Sequence, residues 1–395
     1  MVDFNHLPDE LLMKIFQLDY NLDNLNNYSK VCCRWRPLIF SILHKLNCLK
    51  VDTHLTKYHV GFYDKIPFPY HGAIGKIEIL QFMPNLKFLV VHDLYSPADD
   101  NGETGPKLRM VIDILTSVKS IKGIIFGKNQ NEACLAEFCG NVEMLSFEHS
   151  GEFPVKYFDF YGYGANLKQL HVNYFSFELL GTFANFIPNL ERLHLRYMRS
   201  SSTYNGPVLR NLKMLSLVNI GRFGFDGFRF IDFCPSLKSI FICLDNIYEF
   251  DVYQLDESLK NNQVEDLVME TAHHNSHNID TIKKFLSKFP NLKHFAFRGG
   301  PKVYEILPEE FVEMFPKLVL LDVRGAKFIA RFKDHRTRMA EYCKKVKRSI
   351  KFIQNQEDLD HLLPDDHLIV KELDFMKYCF FKIHSKHPKI MDPSN

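Results

Sequence analysis

The sequence lacks what several function classes require. No stretch approaches the roughly 20 consecutive apolar residues of a membrane-spanning helix, so no membrane association is expected. The opening Met1-Val2-Asp3-Phe4-Asn5-His6 has no basic segment and no apolar run, so no secretory signal is expected there. Excess charge of one sign is missing too. The 49 Lys and Arg stand against 47 Asp and Glu, a formal net charge of +2, which implies no bulk binding to nucleic acid. The nine cysteines, Cys32, Cys33, Cys48, Cys134, Cys139, Cys234, Cys243, Cys343 and Cys379, are odd in number and scattered. Such cysteines read as small buried hydrophobes in a reducing intracellular setting, cytoplasmic or nuclear, rather than as a disulfide framework.

Motifs of catalysis are also missing. There is no G-x-S-x-G and no H-E-x-x-H. Gly162-Tyr163-Gly164 and Gly299-Gly300 lack the strand–turn–helix setting of phosphate loops. Cys134 and Cys139 have no second pair to complete a zinc knuckle, and no cysteine or carboxylate completes a ligand spacing around His273, His274 and His277. No catalytic residue, metal or cofactor is therefore expected in this chain.

What the chain has is a returning phrase. It reads Pro84-Asn-Leu-Lys-Phe-Leu-Val-Val, Pro188-Asn-Leu-Glu-Arg-Leu-His-Leu and Pro290-Asn-Leu-Lys-His-Phe-Ala-Phe, with variants at Pro235 and Pro316 and weaker copies between. Its first apolar residue falls at Leu86, Val118, Val142, Leu167, Leu190, Leu212, Leu237, Val264, Leu292 and Leu318, at gaps of 22 to 32 residues. Within a copy the fourth and sixth places, such as Leu193 and Leu195, alternate with variable neighbours at strand period. Before several copies the apolar spacing is helical, as at Ile282, Phe285, Leu286 and Phe289, or at Phe311, Val312 and Phe315. One strand and one helix cannot bury their apolar faces alone, so the copies must stack. The L-x-x-L-x-L phrase resembles a leucine-rich repeat. That resemblance implies an α/β solenoid over residues 46–326, a curved parallel sheet with helices outside. The family's asparagine or cysteine at the ninth place is replaced here by Phe175, Met198 and Ile220, so its usual side-chain ladder is not expected.

The first 45 residues do not repeat. Pro8, Asp9 and Glu10 suit the first turn of a helix, and Leu11, Leu12, Ile15 and Phe16 share its apolar side. A second helix is expected through Leu25, Tyr28, Cys32 and Trp35 with Asp23 as cap, and a third through Leu38–Leu43 after a break at Pro37. Short helices this apolar leave surface that the segment cannot cover itself. A helical docking module and a cap for the solenoid are both open on this ground alone. Leu7-Pro8-Asp9-Glu10-Leu11, Ile15-Phe16 and Val31-Cys32-x-Arg34-Trp35 resemble an F-box, with Asp19 and Pro37 as departures. The resemblance implies that Leu7, Pro8, Leu11, Ile15, Phe16, Val31, Cys32 and Trp35 face a Skp-type adaptor or form the module's core. The adaptor would tie the chain to a cullin–RING ubiquitin ligase, with the repeats holding a protein substrate. A repeat scaffold acting outside a ligase is the alternative.

Two further expectations concern surfaces. Residues between the core places of the strands, Gln169, His171 and Asn173, then Arg192, His194 and Arg196, then His294, Arg298 and Arg324, should form an exposed strip with donors for carboxylate or phosphate. A solvated face without a ligand is the other reading of the same residues. Lys327–Lys351 carries ten Lys or Arg against Asp334 and Glu341. It reads as a helix covering the last repeat within a capping region, 327–395. Leu368, Ile369, Val370, Leu373, Phe375, Met376, Phe380 and Phe381 mark the folded end of that cap.

Overall fold

The phrase dictates a turn, and in the computed structural model each copy makes one. The structure describes residues 4–19, 22–46, 48–52, 57–61, 83–92, 106–126, 138–147, 164–173, 176–196, 203–219, 227–244, 256, 258–271, 279–299, 302–303, 308–324, 327–328 and 335–354. Leu190 N–H donates to the Ile187 carbonyl, Leu86 to Met83, Leu292 to Phe289 and Leu318 to Phe315, at 3.1–3.3 Å. These i to i+3 bonds close β-turns with proline at the second position, where its fixed φ is already in place. Two residues later a strand begins, and the consecutive N–H groups of Glu191 and Arg192 share the Lys168 carbonyl of the repeat before (2.8 and 2.9 Å). Lys213 and Met214 share the Glu191 carbonyl, and Lys293 and His294 that of Glu265.

Residues 4–147 fall in a first compact unit together with Gly164–Leu167, and the described residues from Lys168 onward form a second. In the first unit, helices α1 (Asp9–Leu18), α2 (Leu22–Ser29) and α3 (Trp35–Leu43) lead into strands β1 (Cys48–Asp52), β2 (Lys57–Gly61), β3 (Phe88–His92), β4 (Gly123–Phe126) and β5 (Met144–Phe147), with α4 (Pro106–Ser117) before β4. β1, β3, β4 and β5 pair in parallel, and β2 joins β1 antiparallel at the edge. Leu46, just before β1, and Leu49 within it are both buried.

The second unit holds β6 (Gln169–Asn173), β7 (Arg192–Arg196), β8 (Met214–Asn219), β9 (Ser239–Leu244), β10 (Asp266–Thr271), β11 (His294–Gly299), β13 (Leu320–Asp322) and β15 (Lys351–Ile353), all parallel and in that spatial order. β12 (Lys302–Val303) and β14 (Lys327–Phe328) pair separately. Helices α5 (Phe177–Phe183), α6 (Gly227–Phe230), α7 (Ile279–Leu286), α8 (Pro308–Met314) and α9 (His335–Lys345) intervene. The phenylalanines fill the layer between helix and strand. Phe295 of β11 meets Phe311 of α8 edge-on at 5.0 Å, and Phe177 of α5 lies 5.0 Å from Phe230 of α6. By cross-strand register Leu193, Leu215, Ile240, Leu267, Phe295 and Leu321 share that face.

Two sequence readings need correction. The copy near Ser117 is off by three residues: Ile121 N–H closes the turn onto the Val118 carbonyl, and Gly123 pairs with Phe88. Ile121, not Val118, therefore holds the first apolar place. Parallel pairing also runs past residue 326, because β15 adds to β13 after helix α9. Much of the basic segment is thus one more helix and strand. Arg348 donates to the carbonyls of Val312, Phe315 and Leu318, closing the end of α8 with a cation where the helix dipole is negative. A side-chain ladder of another kind runs along the turns, while the ninth-place residues Phe175, Met198 and Ile220 lie outside the described residues. Asn85 donates to the His44 carbonyl (2.7 Å), Asn166 to Gly140 (3.0 Å), Asn211 to Pro188 (2.9 Å) and Asn291 to Asn262 (2.8 Å). The asparagine just before the first apolar residue satisfies the turn carbonyl of the preceding repeat. Glu148, the polar segment 96–105, residues 272–278 with their three histidines, and the apolar and acidic end from 355 onward lie outside the described residues.

Candidate functional site

Helix α1 has two apolar stripes, because a turn of 3.6 residues separates i, i+4 pairs that begin one residue apart. Leu12 and Phe16 are 0% and 3% exposed and face α2 and α3. Phe16 stacks on Tyr28 (5.8 Å) and meets Trp35 edge-on (5.0 Å), so these three rings form the module's core. Leu11, Ile15 and Leu18 carry the other stripe, at 45%, 39% and 76% exposure. Val31, at 61%, lies in the turn between α2 and α3. Arg34 brings that turn to the start of α1, donating to the Leu7 carbonyl (2.6 Å) and to Asp9 Oδ1 (2.7 Å). Pro8 is exposed at the helix start, while Leu7 and Cys32 are half-buried.

The α2 and α3 boundaries differ from the expectation. α2 ends at Ser29 and α3 starts at Trp35, so Trp35 opens the third helix rather than closing the second. Pro37 lies within the first turn of α3, where amide hydrogens have no helical partner and proline costs no bond. Asp23 lies inside α2 rather than before it. Asp19 instead organises the junction, accepting from Tyr28 Oη (2.7 Å) and Asn24 Nδ2 (3.0 Å). Its hydrogen bond pushes the Tyr28 phenol above its ordinary value.

The strand residues alternate away from the helix side, but they do not form an open strip. Gln169, His171, His194, Arg196 and Arg298 are buried, His171 and His194 at 1% and 2% exposure with ring centres 4.6 Å apart; Arg192 is half-buried. Central parallel strands are commonly covered on both faces, and the alternation seen in sequence does not reveal the second cover. Farther along, the cations are balanced by carboxylates. Arg298 contacts Asp322 (2.8 Å) and Glu270 (3.2 Å), and Arg324 also contacts Asp322 (2.7 Å). Burial raises the Glu270 carboxyl, with Arg298 opposing the rise. His294 Nδ1 lies 2.6 Å from Asp266 Oδ1, while Ser239 donates to Asp266 Oδ2. The carboxylate sits between serine and histidine, so this trio lacks the serine–histidine contact that activates a nucleophile.

Comparison with known proteins bears on both parts. A family model described as F-box-like matches residues 4–50. The N-terminal segment is an F-box-like domain. Among curated proteins the chain matches none. Among solved structures it is similar to a leucine-rich-repeat protein of Leptospira interrogans, at 14% identity and a TM-score of 0.31, over 62% of this chain and 63% of that one. The chain thus spans less than two thirds of that structure's length. The repeat architecture rests on the phrase, the parallel pairing and the asparagine ladder.

Within the F-box-like domain, Phe16 and Trp35 serve the aromatic core, while Leu11, Ile15 and Val31 lie on its surface. Among the described residues no three His, Cys, Asp or Glu side chains gather as metal ligands, and no helix is long and apolar enough to cross a membrane. Sequence reading missed Lys288, whose side chain is fully buried. Its Nζ lies 2.7 Å from Asp232 Oδ1 and donates to the Asp256 carbonyl (2.9 Å). A lysine on a helical, apolar stretch carries no sign of such a role until its partner 56 positions earlier is brought beside it.

Proposed function

We propose that the chain is the substrate-recognition adaptor of an SCF-type cullin–RING ubiquitin ligase. The observation that carries this reading is the second apolar stripe of α1, Leu11, Ile15 and Leu18. It is exposed on a helix whose other stripe already fills the core. Exposed apolar rows of this kind mark protein partners, and the F-box-like match favours a Skp-type adaptor. The repeats then hold a protein target near the ligase's ubiquitin-conjugating enzyme. Transfer is accelerated by raised effective concentration, with the bond-making chemistry belonging to partners. The strand face carrying Gln169, His171, Arg192, His194, Arg196, His294 and Arg298 is the proposed target surface, with half-buried Arg192 and His294 the side chains open to a target and the other five buried behind them; an intracellular site of action follows from the partners.

Affinity purification of the tagged full chain from cells tests the reading. Recovery of both a Skp-type adaptor and a cullin is the expected result. Recovery of the adaptor without a cullin would favour a scaffold outside the ligase, and recovery of neither would overturn the proposal.

A further inference from the structure

The last repeat of the second unit carries lysines that the fold leaves unused. Glu265, Lys293, Val319 and Lys351 stand in one column at the strand starts, because each N–H in turn donates to the carbonyl of the one before (2.8–2.9 Å). Lys293 meets Glu265 at 2.8 Å, but Val319 and Lys351 bring no carboxylate to the end of the column. Arg348 draws the end of α9 onto the turn before β13, donating to the Phe315 and Leu318 carbonyls (2.9 Å each). Lys344, Lys345 and Lys347 therefore lie at the same end of the sheet as Lys317 of that turn and Lys351. All five lysines are exposed, and their ammonium groups have no partner among the described residues. The acids of the neighbouring helix are already engaged. Glu310 pairs with Lys283 (2.8 Å), Glu313 accepts from Tyr342 Oη (2.8 Å) and Glu309 is held by Arg338. Glu341 is the single carboxylate on α9.

The helix dipole accounts for Lys344 and Lys345 in the last turn of α9. It does not account for Lys317, Lys347 or Lys351. Lys347 has a left-handed backbone (φ 55°), alone among the described non-glycine residues. The helix closes there, with Arg348 N–H on the Cys343 carbonyl (2.9 Å), at a position that glycine ordinarily takes. A lysine kept on backbone unfavourable to any side chain points to a use beyond the fold. Val319 and Val346, 46% and 36% exposed, lie among these lysines. We propose that this end of the repeats binds an acidic polypeptide segment of a partner protein. Its carboxylates meet Lys317, Lys347 and Lys351, and its apolar side chains cover Val319 and Val346. A nucleic acid backbone would leave the valines uncovered, and lysine lacks the guanidinium fork that suits phosphate. The surface is separate from the strand face proposed for the target, and it needs neither adaptor nor cullin.

The test is fluorescence anisotropy of a dye-labelled peptide of repeating Asp-Glu-Leu, titrated with the purified full chain. The peptide should bind, and more weakly as salt rises, since exposed charges are screened. A peptide of repeating Asn-Gln-Leu should bind far more weakly, and one of repeating Asp-Glu-Ser should fall between. A full-length variant with Lys317→Gln, Lys347→Gln and Lys351→Gln should keep the parent melting temperature and lose at least about fivefold in affinity, the scale of several exposed ion pairs. Lys347→Gly separates binding from folding. Glycine suits the left-handed backbone, so this variant should melt no lower than the parent and still bind the acidic peptide more weakly. An acidic peptide that does not bind the parent, or that binds the folded variants as tightly, overturns the proposal. So does tighter binding of a single-stranded oligonucleotide or of phosphatidylserine vesicles that the triple substitution abolishes, because the surface then serves another class of partner.

Discussion

Single polar side chains do much of the stacking in this protein. Exposed Asn211 donates to the Pro188 carbonyl, and its loss leaves that carbonyl without the repeat-to-repeat bond. Asn211→Ala should destabilise by about 0.5–1.5 kcal/mol, the usual net worth of such a bond, measured by denaturant unfolding. Lys288 is a larger case. Burial pushes the Asp232 carboxyl above its ordinary range, and Lys288 pulls it back down. Lys288→Met takes the lysine from a half-buried carboxylate, Asp232, which should cost up to about 3 kcal/mol at neutral pH, the lower end for losing one partner of a buried pair. Adding Asp232→Asn should recover much of this loss. The sign with pH follows from the raised carboxyl. A group whose folded value lies above its unfolded value favours the fold when protonated, and that contribution fades as pH rises through the folded value. The Lys288→Met penalty should therefore shrink as pH falls below neutral. A penalty that grows on acidification would contradict the assignment.

At the scale of elements, strands and helices were legible in unequal degree. The Pro-Asn-Leu phrase placed nine of its ten first apolar residues, all buried, because turn, core leucine and strand are encoded within a few positions. Copy four residues long and without proline, β4 was misplaced: Ser117-Val118 imitates the phrase while the true turn is Val118–Ile121. Gly123 explains part of the disguise. A Cβ there would lie 2.9 Å from the Phe88 ring and 3.2 Å from Met144 Cβ, so the strand opens on a residue with no side chain to show its period. For β7 the register is testable. Leu193→Ala should cost about 2–5 kcal/mol as a truncation in a packed layer, and half-buried Arg192→Ala distinctly less. Equal melting of the two variants would mean the strand is turned over. Helix α1 was legible as apolar but not as two-sided, since Leu11, Leu12, Ile15 and Phe16 crowd one sequence window and only packing separates 11 and 15 from 12 and 16. The α2–α3 boundary was lost for a related reason: Cys32 and Trp35 continue a helical spacing across a turn.

At the scale of the whole molecule, the sequence conveyed a helical docking module followed by stacked strand–helix repeats. Periodicity is a local property and survives without coordinates. Partner choice among side chains distant in sequence does not. Asp322 with Arg298, Asp232 with Lys288, and the cover over His171 and His194 were invisible for that reason, and the expected cationic strip became a buried and partly balanced face. In the proposed function the outer stripe of α1 binds a Skp-type adaptor. Titrating the purified adaptor into the full chain by calorimetry tests it most directly, comparing the parent with a Leu11→Asp, Ile15→Asp variant. Both residues are exposed, so the variant should keep its melting temperature while its affinity falls by well over about tenfold, more than 1.4 kcal/mol. Parent-like affinity in the folded variant would contradict the claim.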